Sequence, residues 1–187
     1  MGYKICRVGE ILKRSQKVKI LNHVFYAVHG FTGNTSNFHD PQNSFINNVL
    51  ESRRGNQISL AIIYAVVAQR LDIPIYGINL PQHFVLAYLD EGQEYPHISS
   101  GEANGILFYI NAFNKGSVFN RKDVDHFLKQ LNISPDLSFY NPCSNIQMIK
   151  RVLRNFISAY EKQSNMAKAE EITTLLNMLL EIEPDKN

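Results

Sequence analysis

One serine stands where a nucleophile is favoured. Ser59 precedes an unbroken apolar or aromatic run from Leu60 to Ala68. A helix that is apolar all the way round sits inside a domain, so this run predicts a buried helix that opens at Ser59. The free N–H groups and partial positive charge at a helix N-terminus favour a nucleophile or an anion. Ser59 is therefore a candidate nucleophile.

The same serine has an explanation that needs no chemistry, because serine is among the favoured helix N-caps. A serine hydroxyl keeps its proton near neutral pH, so a nucleophilic Ser59 depends wholly on an adjacent base. His83, near the start of a predicted strand, is the candidate for that base. The alternative for His83 is a half-buried ring whose hydrogen bonds are made to the backbone.

Polar residues just before the helix allow two further roles. Asn56 and Gln57 carry amides that can donate to an oxyanion, although such residues more often satisfy the backbone of a loop. Arg53 and Arg54 can bind a carboxylate, although a charged pair that ends a helix is usually solvated. These four residues are weaker candidates than Ser59 and His83.

Helices must lead into this segment. Apolar residues at three- and four-residue spacings predict one broken or two successive amphipathic helices over residues 4 to 29, with Gly30 as the C-terminal cap. A short helix then runs to Glu51, with Asn43 or Ser44 as its N-cap. Arg53, Arg54 and Gly55 separate it from the central helix.

Strands follow the central helix. His83 to Leu89 alternates as a strand does, and one face carries Phe84, Leu86 and Tyr88. A polar segment from Asp90 to Gly105 interrupts the hairpin, and we expect this segment to be mobile. The second strand resumes at Ile106 to Asn111.

The sequence after Asn120 predicts three helices. Asn120 caps a predicted helix, and two more follow at Ile146 to Lys162 and Met166 to Ile182. Tyr160 and Ala169 are spaced as in a tetratricopeptide repeat, but Pro184 comes three residues later than the repeat would place it. A single repeat cannot bury its own apolar face, so we expect this helical pair to dock on the core or on a partner.

These segments together resemble a known family. The run DPQNSFINNVLESRRGNQISLAIIYAVVAQRLDIPIYGINLPQHFVLAYL, followed by FYINAFNKG, resembles the bacterial transglutaminase-like proteins of the second core type. Proteins of this type join a papain-like core to tetratricopeptide-type helices. The resemblance extends over roughly residues 20 to 183.

The resemblance also implies site residues. In transglutaminases proper, a cysteine opens the central helix, a histidine starts the next strand and an aspartate lies on the strand after that. The matching places here hold Ser59, His83 and Asn111. Asparagine orients an imidazole in the Cys, His, Asn variants of papain-like enzymes, but it does not supply the negative charge that stabilises imidazolium. Two of the three places therefore differ from the active pattern.

The expected fold is α+β, with a transglutaminase-like, papain-like core of a central buried helix and a small antiparallel sheet. We expect this core, with its N-terminal helices, over residues 1–142. A tetratricopeptide-like helical pair docked on the core occupies residues 143–187.

Three functions are compatible with this fold, so whether the protein is an enzyme stays open. The first is a transglutaminase-like domain without thiol chemistry that binds a protein or peptide, favoured because the cysteine and the aspartate are both absent. The second is an acyl hydrolase or acyltransferase in which Ser59 is the nucleophile, His83 the general base and Asn111 its orienter. The third is a structural fragment whose activity resides in a missing N-terminal region or in a partner protein.

Composition excludes several other classes. The sequence has 187 residues, of which 44% are hydrophobic and 19% are charged, and a formal net charge of +2, so we expect no nucleic-acid partner. The central apolar run is shorter than the ~20 residues of a membrane span, so we expect no membrane contact. The histidines are scattered, without the spacing of metal ligands, so we expect no metal. The sequence has no glycine-rich phosphate loop, so we expect no nucleotide cofactor either.

Two cysteines, Cys6 and Cys143, are too few for a secreted disulfide framework. The N-terminus also lacks the apolar region of a signal peptide. A cytoplasmic location is therefore expected. The oligomeric state does not follow from the sequence.

Overall fold

The computed structural model describes residues 13–90 and 105–184. Helix α1 comprises residues 13–22 and continues as the π-helical segment His23–Val28. Gly30 follows with a φ of 71°, so the predicted end of this helix is confirmed. The helical prediction for residues 4–12 lies outside the described residues, as does that of a mobile segment for residues 91–104.

The remaining helices follow the predicted order. Helices α2 to α6 are Ile46–Ser52, Gln57–Arg70, Arg121–Gln130, Asn145–Lys162 and Met166–Ile182. Two 3₁₀ turns are also present, at Pro41–Ser44 and Leu137–Phe139. The predicted cap of the short helix is wrong. Asp40 caps the first 3₁₀ turn through Gln42 N, and α2 begins after Phe45 without a side-chain cap.

The strands form two sheets. A short parallel pair joins β1 (Thr32–Gly33) to β2 (Arg54–Gly55). The larger sheet is antiparallel in the order β3-β4-β5-β6, and its strands are Ile75–Leu80, His83–Leu89, Ile106–Asn111 and Ser117–Phe119. Helices thus surround a small antiparallel sheet, and the expected α+β fold is confirmed.

The sheet separates two apolar clusters. Phe84, Leu86 and Tyr88 pack with α1 and α3 on one face. Val85 and Ala87, which alternate with them on β4, pack with residues of α4 on the other face. The predicted alternation of β4 is confirmed, and both faces of the strand are covered.

The central helix α3 differs from its prediction in its first residue and in its burial. It begins at Gln57, because the extended Asn56 is its N-cap and accepts a hydrogen bond from Ser59 N. Ser59 is the third helical residue, and its side chain accepts from Asn56 N to complete this capping box. Near the other end Val66 is 54% exposed, so the helix is not buried on every side.

Helix α1 holds the turn that follows β5. Asn22 Nδ2 donates to Gly116 O at 2.9 Å, and Tyr64 Oη donates to Asn22 Oδ1 at 2.8 Å. Tyr26 Oη donates to Ala112 O at 2.8 Å. Burial raises the pKa of both tyrosines, so they remain neutral donors. The end of β5 is therefore fixed by side chains distant in sequence.

The β4–β5 connection is closed at its base. Asp90 N donates to Gly105 O at 2.7 Å, immediately before and after residues 91–104. The Asp90 carboxylate also lies 2.8 Å from the guanidinium of the largely buried Arg14 on α1. The two strands are thus joined before the intervening segment begins.

The C-terminal helices pack on each other and on the core. Phe156 and Tyr160 of α5 form an apolar cluster with Ala169 of α6. Lys150 is only 1% exposed and donates to Glu183 O, just beyond α6. The helical pair is present where predicted. Its tetratricopeptide type and the boundary at residue 142 remain predictions.

Gly55 leaves no room for a side chain. A Cβ there would lie 2.6 Å from Ser59 Oγ and 2.9 Å from Val49 Cγ1. We expect Gly55→Ala to lower the free energy of unfolding by about 1–3 kcal/mol, as overpacking does, measured by urea denaturation. Because Ser59 Oγ is the closest atom, Gly55→Ala should cost less in a Ser59→Ala background. Equal costs in the two backgrounds would contradict this packing.

Candidate functional site

Ser59 is fully buried and its hydroxyl is already engaged. Ser59 Oγ donates to Asn43 O at 2.6 Å and accepts from Asn56 N at 3.0 Å. These bonds join the start of α3 to the first 3₁₀ turn. Among the described residues, no hydrogen bond joins Ser59 to His83.

Gln57, the first residue of α3, is the residue that faces the histidine. Its side-chain amide nitrogen, Nε2, lies 2.9 Å from His83 Nδ1. Successive helical residues are rotated by about 100°, so two residues further on, at Ser59, the side chain leaves the opposite side of the helix. Position 57, and not position 59, therefore lies against the ring.

Asn111 lies on the other side of His83, as the resemblance implied. Its Nδ2 is 3.3 Å from His83 Nε2. Its Oδ1 accepts from the backbone N–H groups of Phe113 at 3.1 Å and Asn114 at 3.0 Å. The turn after β5 therefore fixes the amide with its oxygen away from the ring and its NH₂ group toward it.

This orientation determines the tautomer of His83. A neutral imidazole has one donor and one acceptor nitrogen, and Asn111 donates to Nε2. The proton must then be on Nδ1, which faces Gln57. The structure has Gln57 Nε2 at this nitrogen, so a proton on Nδ1 requires the Gln57 amide to be rotated by 180°, which exchanges its oxygen and nitrogen. The ring thus donates toward position 57.

The charges around the ring favour its neutral form. The pKa of His83 is lowered from 6.5, first by burial and then by the positive charge of Arg151. Arg151, on α5, donates through Nη1 to Asn79 Oδ1 at 3.0 Å and to Leu80 O at 3.1 Å. It is therefore fixed near the β3–β4 turn that precedes His83.

A cavity of about 410 Å³ opens at the start of α3. We call it the Gln57 cavity. Its walls are the first turn of α3, the β3–β4 turn, the loop at residues 38–40 and the outer part of α5. Polar side chains from different elements converge here, among them Gln57, Gln82, Arg151 and Asn155. This combination is typical of binding pockets.

The weaker sequence candidates have structural roles. Asn56 uses both ends of its amide, since Oδ1 accepts from Ser59 N and Nδ2 donates to Ser44 Oγ at 2.7 Å. Arg53 ends α2 in the left-handed conformation and lies over the Phe31 ring. Arg54 is exposed.

The sequence makes Gln57 only a weak candidate for this site and does not indicate Arg151. A helix start at Ser59 puts Gln57 before the helix, whereas Asn56, an equally favoured cap three residues earlier, fits the observed start at Gln57. Arg151 reaches the site from α5, and no local pattern indicates that contact.

Metal-ligand clusters and membrane spans are both missing from the part of the protein that the structure describes. Within residues 13–90 and 105–184, no three histidine, cysteine or acidic side chains are grouped as metal ligands. Over the same ranges, no helix has the length and apolar character of a membrane span.

The lowered pKa of His83 makes stability depend on pH. The folded protein binds this proton less readily than the unfolded protein, so the free energy of unfolding should fall as pH drops below 6.5. A His83→Gln variant should show a smaller fall over the same range in urea titrations.

The tautomer of His83 is a separate prediction. Nitrogen-15 NMR of the wild type at pH 7.5 should show the proton of the ring on Nδ1. A proton on Nε2 would contradict the orientation of Asn111.

The chain is similar to bacterial and mammalian proteins over most of its length. The chain is 27% identical to a UPF0162 protein of Xylella fastidiosa over 98% of its length, 25% identical to Protein SirB1 of Salmonella typhimurium over 90%, and 25% identical to F-box only protein 21 of Homo sapiens over 96%. It spans 63%, 59% and 27% of those proteins, respectively. No solved structure matches it.

The family match extends over most of the sequence. Residues 6–154 match the family model of the transglutaminase-like superfamily. The matched residues include the central helix, the whole antiparallel sheet and His83 with its two amide neighbours. The chain therefore belongs to the transglutaminase-like superfamily.

Proposed function

We propose that this protein is a non-catalytic transglutaminase-like module that binds a protein or peptide. The orientation of Asn111 carries the proposal. Its oxygen accepts two backbone N–H groups, so its NH₂ group occupies the acceptor nitrogen of His83. A general base needs that acceptor nitrogen directed at the nucleophile, with the orienting residue accepting from the other nitrogen.

The residue on the other side of the ring supports the same proposal. Gln57 holds the position nearest His83 Nδ1, and a carboxamide is not a nucleophile. The protein therefore has a histidine between two amides where an active enzyme has a nucleophile and a carboxylate. The two amides fix the histidine ring, and Gln57 is the one of these three residues that also lines the Gln57 cavity.

The acyl hydrolase alternative requires a rearrangement. Ser59 Oγ would have to leave Asn43 O and move around the helix to reach His83, while Asn111 would have to reverse its amide. The first change breaks hydrogen bonds of a buried group, at about 1–3 kcal/mol for every group left unsatisfied. The second breaks the two bonds that the half-buried Asn111 accepts from the backbone. The binding role requires neither change.

The binding role itself is supported by the cavity. Its volume of about 410 Å³ falls within the range of ligand pockets, roughly 300–1,000 Å³. The convergent amides and cationic groups match the hydrogen-bonding groups of a peptide backbone and its polar side chains.

Cysteine substitutions distinguish positions 57 and 59. In a Cys6→Ser background, we expect Gln57→Cys to react with iodoacetamide at pH 7 at least about tenfold faster than an unperturbed thiol, because a helix N-terminus and nearby cations lower thiol pKa values. Ser59→Cys should react far more slowly, since that position is fully buried. Cys143 is a suitable internal reference, because burial raises its pKa to about 12. Faster labelling of Ser59→Cys would favour the enzyme instead.

The function is tested by selection and by turnover. A random-peptide phage library is selected on the purified wild-type protein, and the enriched peptides are then tested on two variants. In Ser158→Trp, a bulky side chain at an exposed lining position fills the Gln57 cavity. Ala167→Trp, at an exposed position of α6, is the control. We expect peptides retained by the wild type and Ala167→Trp to be lost on Ser158→Trp. Equal retention on all three, or no enrichment, would overturn the binding proposal.

The turnover assay uses p-nitrophenyl acetate and a glutamine peptide with a primary amine acceptor. We expect the wild type to match a His83→Gln variant for both substrates. Turnover that depends on His83 would overturn the non-catalytic part of the proposal.

A further inference from the structure

The Gln57 cavity contains a guanidinium that no carboxylate of the described residues neutralises. Arg151 lines the cavity and is half-buried. Within residues 13–90 and 105–184 it makes no ion pair, and its side-chain hydrogen bonds are those of Nη1 to Asn79 and Leu80. Its Nε and Nη2 groups have no hydrogen bond to the described residues.

Such a group is energetically unusual. Removing a cation from water is unfavourable unless an anion or acceptor compensates, and burial lowers the pKa of Arg151 accordingly. The two bonds of Nη1 fix the guanidinium plane without supplying a negative charge. The Nε and Nη2 edge is the one that matches a carboxylate in two parallel hydrogen bonds.

The other charges lining the cavity indicate how much negative charge it accepts. Lys162 approaches His39 at 3.0 Å, and Asp40 lines the same cavity with its carboxylate bound to Gln42 N and Asn37 Nδ2. Two cations against one anion leave a net charge of +1 when His39 is neutral. A singly charged carboxylate balances this charge, whereas a phosphate dianion exceeds it and also faces Asp40.

We propose that the Gln57 cavity binds a carboxylate of a peptide ligand, with Arg151 as its charged contact. The inference rests on the proposed binding function and specifies the chemistry of the ligand. The carboxylate comes either from an aspartate or glutamate side chain or from the free C-terminus of the peptide. Lys162, an exposed residue that also lines the cavity, adds to the attraction of the same group.

Four pentapeptides test this assignment by NMR titration of the full-length protein. The first has an internal glutamate and blocked ends, the second a free C-terminal carboxylate, the third a glutamine in place of the glutamate with blocked ends, and the fourth a phosphoserine. We expect one carboxylate peptide to bind at least about tenfold more tightly than the glutamine peptide, as a charged hydrogen-bonded pair provides. Whichever of the first two peptides binds more tightly shows whether the carboxylate comes from a side chain or from the C-terminus.

Two variants assign the effect to Arg151. Arg151→Gln removes the charge, and Asn155→Asp places a competing carboxylate one helical turn away on the cavity wall while leaving Arg151 intact. Both should reduce the preference for the carboxylate peptide to less than about threefold. Arg70→Gln, at an exposed position of α3, should leave it unchanged.

Several outcomes overturn the inference. These are equal binding of the carboxylate and glutamine peptides, a preference unaffected by Arg151→Gln and Asn155→Asp, or tightest binding of the phosphoserine peptide. If library peptides are still lost on Ser158→Trp, the binding function stands and only the carboxylate assignment is wrong. If no peptide of either kind binds, both proposals are wrong.

Discussion

The hydrogen bonds of the buried Ser59 hydroxyl are the constraint on which the site depends. They join the start of the central helix to the first 3₁₀ turn and fix the rotation of the helix about its axis. That rotation places the side chain of Gln57 against His83. Because a helix presents successive residues about 100° apart, the serine that holds the helix cannot also face the histidine. A structural role and a chemical role at Ser59 therefore exclude each other in this conformation.

The histidine shows how hydrogen-bond direction, and not residue type alone, decides what a cleft can do. Asparagine can orient an imidazole in either sense, since its amide has a donor end and an acceptor end. Here the backbone of the turn after β5 occupies the acceptor end. The turn after β5 therefore decides which end of the Asn111 amide faces the ring. Helix α1 holds this turn through Asn22 and Tyr26, which are far from the site in sequence. The chemistry of the ring depends on packing that no local motif describes.

Much of the fold followed from the sequence because apolar periodicity is a local property. Spacing predicts the alternation of β4 and the last two helices, of which α5 begins one residue earlier than predicted, at Asn145. The site was harder to predict, since a shift of two residues in a helix start turns a side chain to the opposite side. Asn56 and Ser59 are both good caps, and spacing does not choose between them. Arg151 enters through tertiary packing of α5, which the sequence pattern leaves open.

The closed base of the β4–β5 connection has a consequence for how this protein tolerates change. Asp90 and Gly105 hydrogen-bond across the gap, and Arg14 holds Asp90 from outside the sheet. The sheet register is therefore set independently of the number of residues between these two positions. Adding residues between two positions that are already held together costs little closure entropy. We therefore expect a change in the number of residues between Asp90 and Gly105 to leave the histidine and its two amides in place.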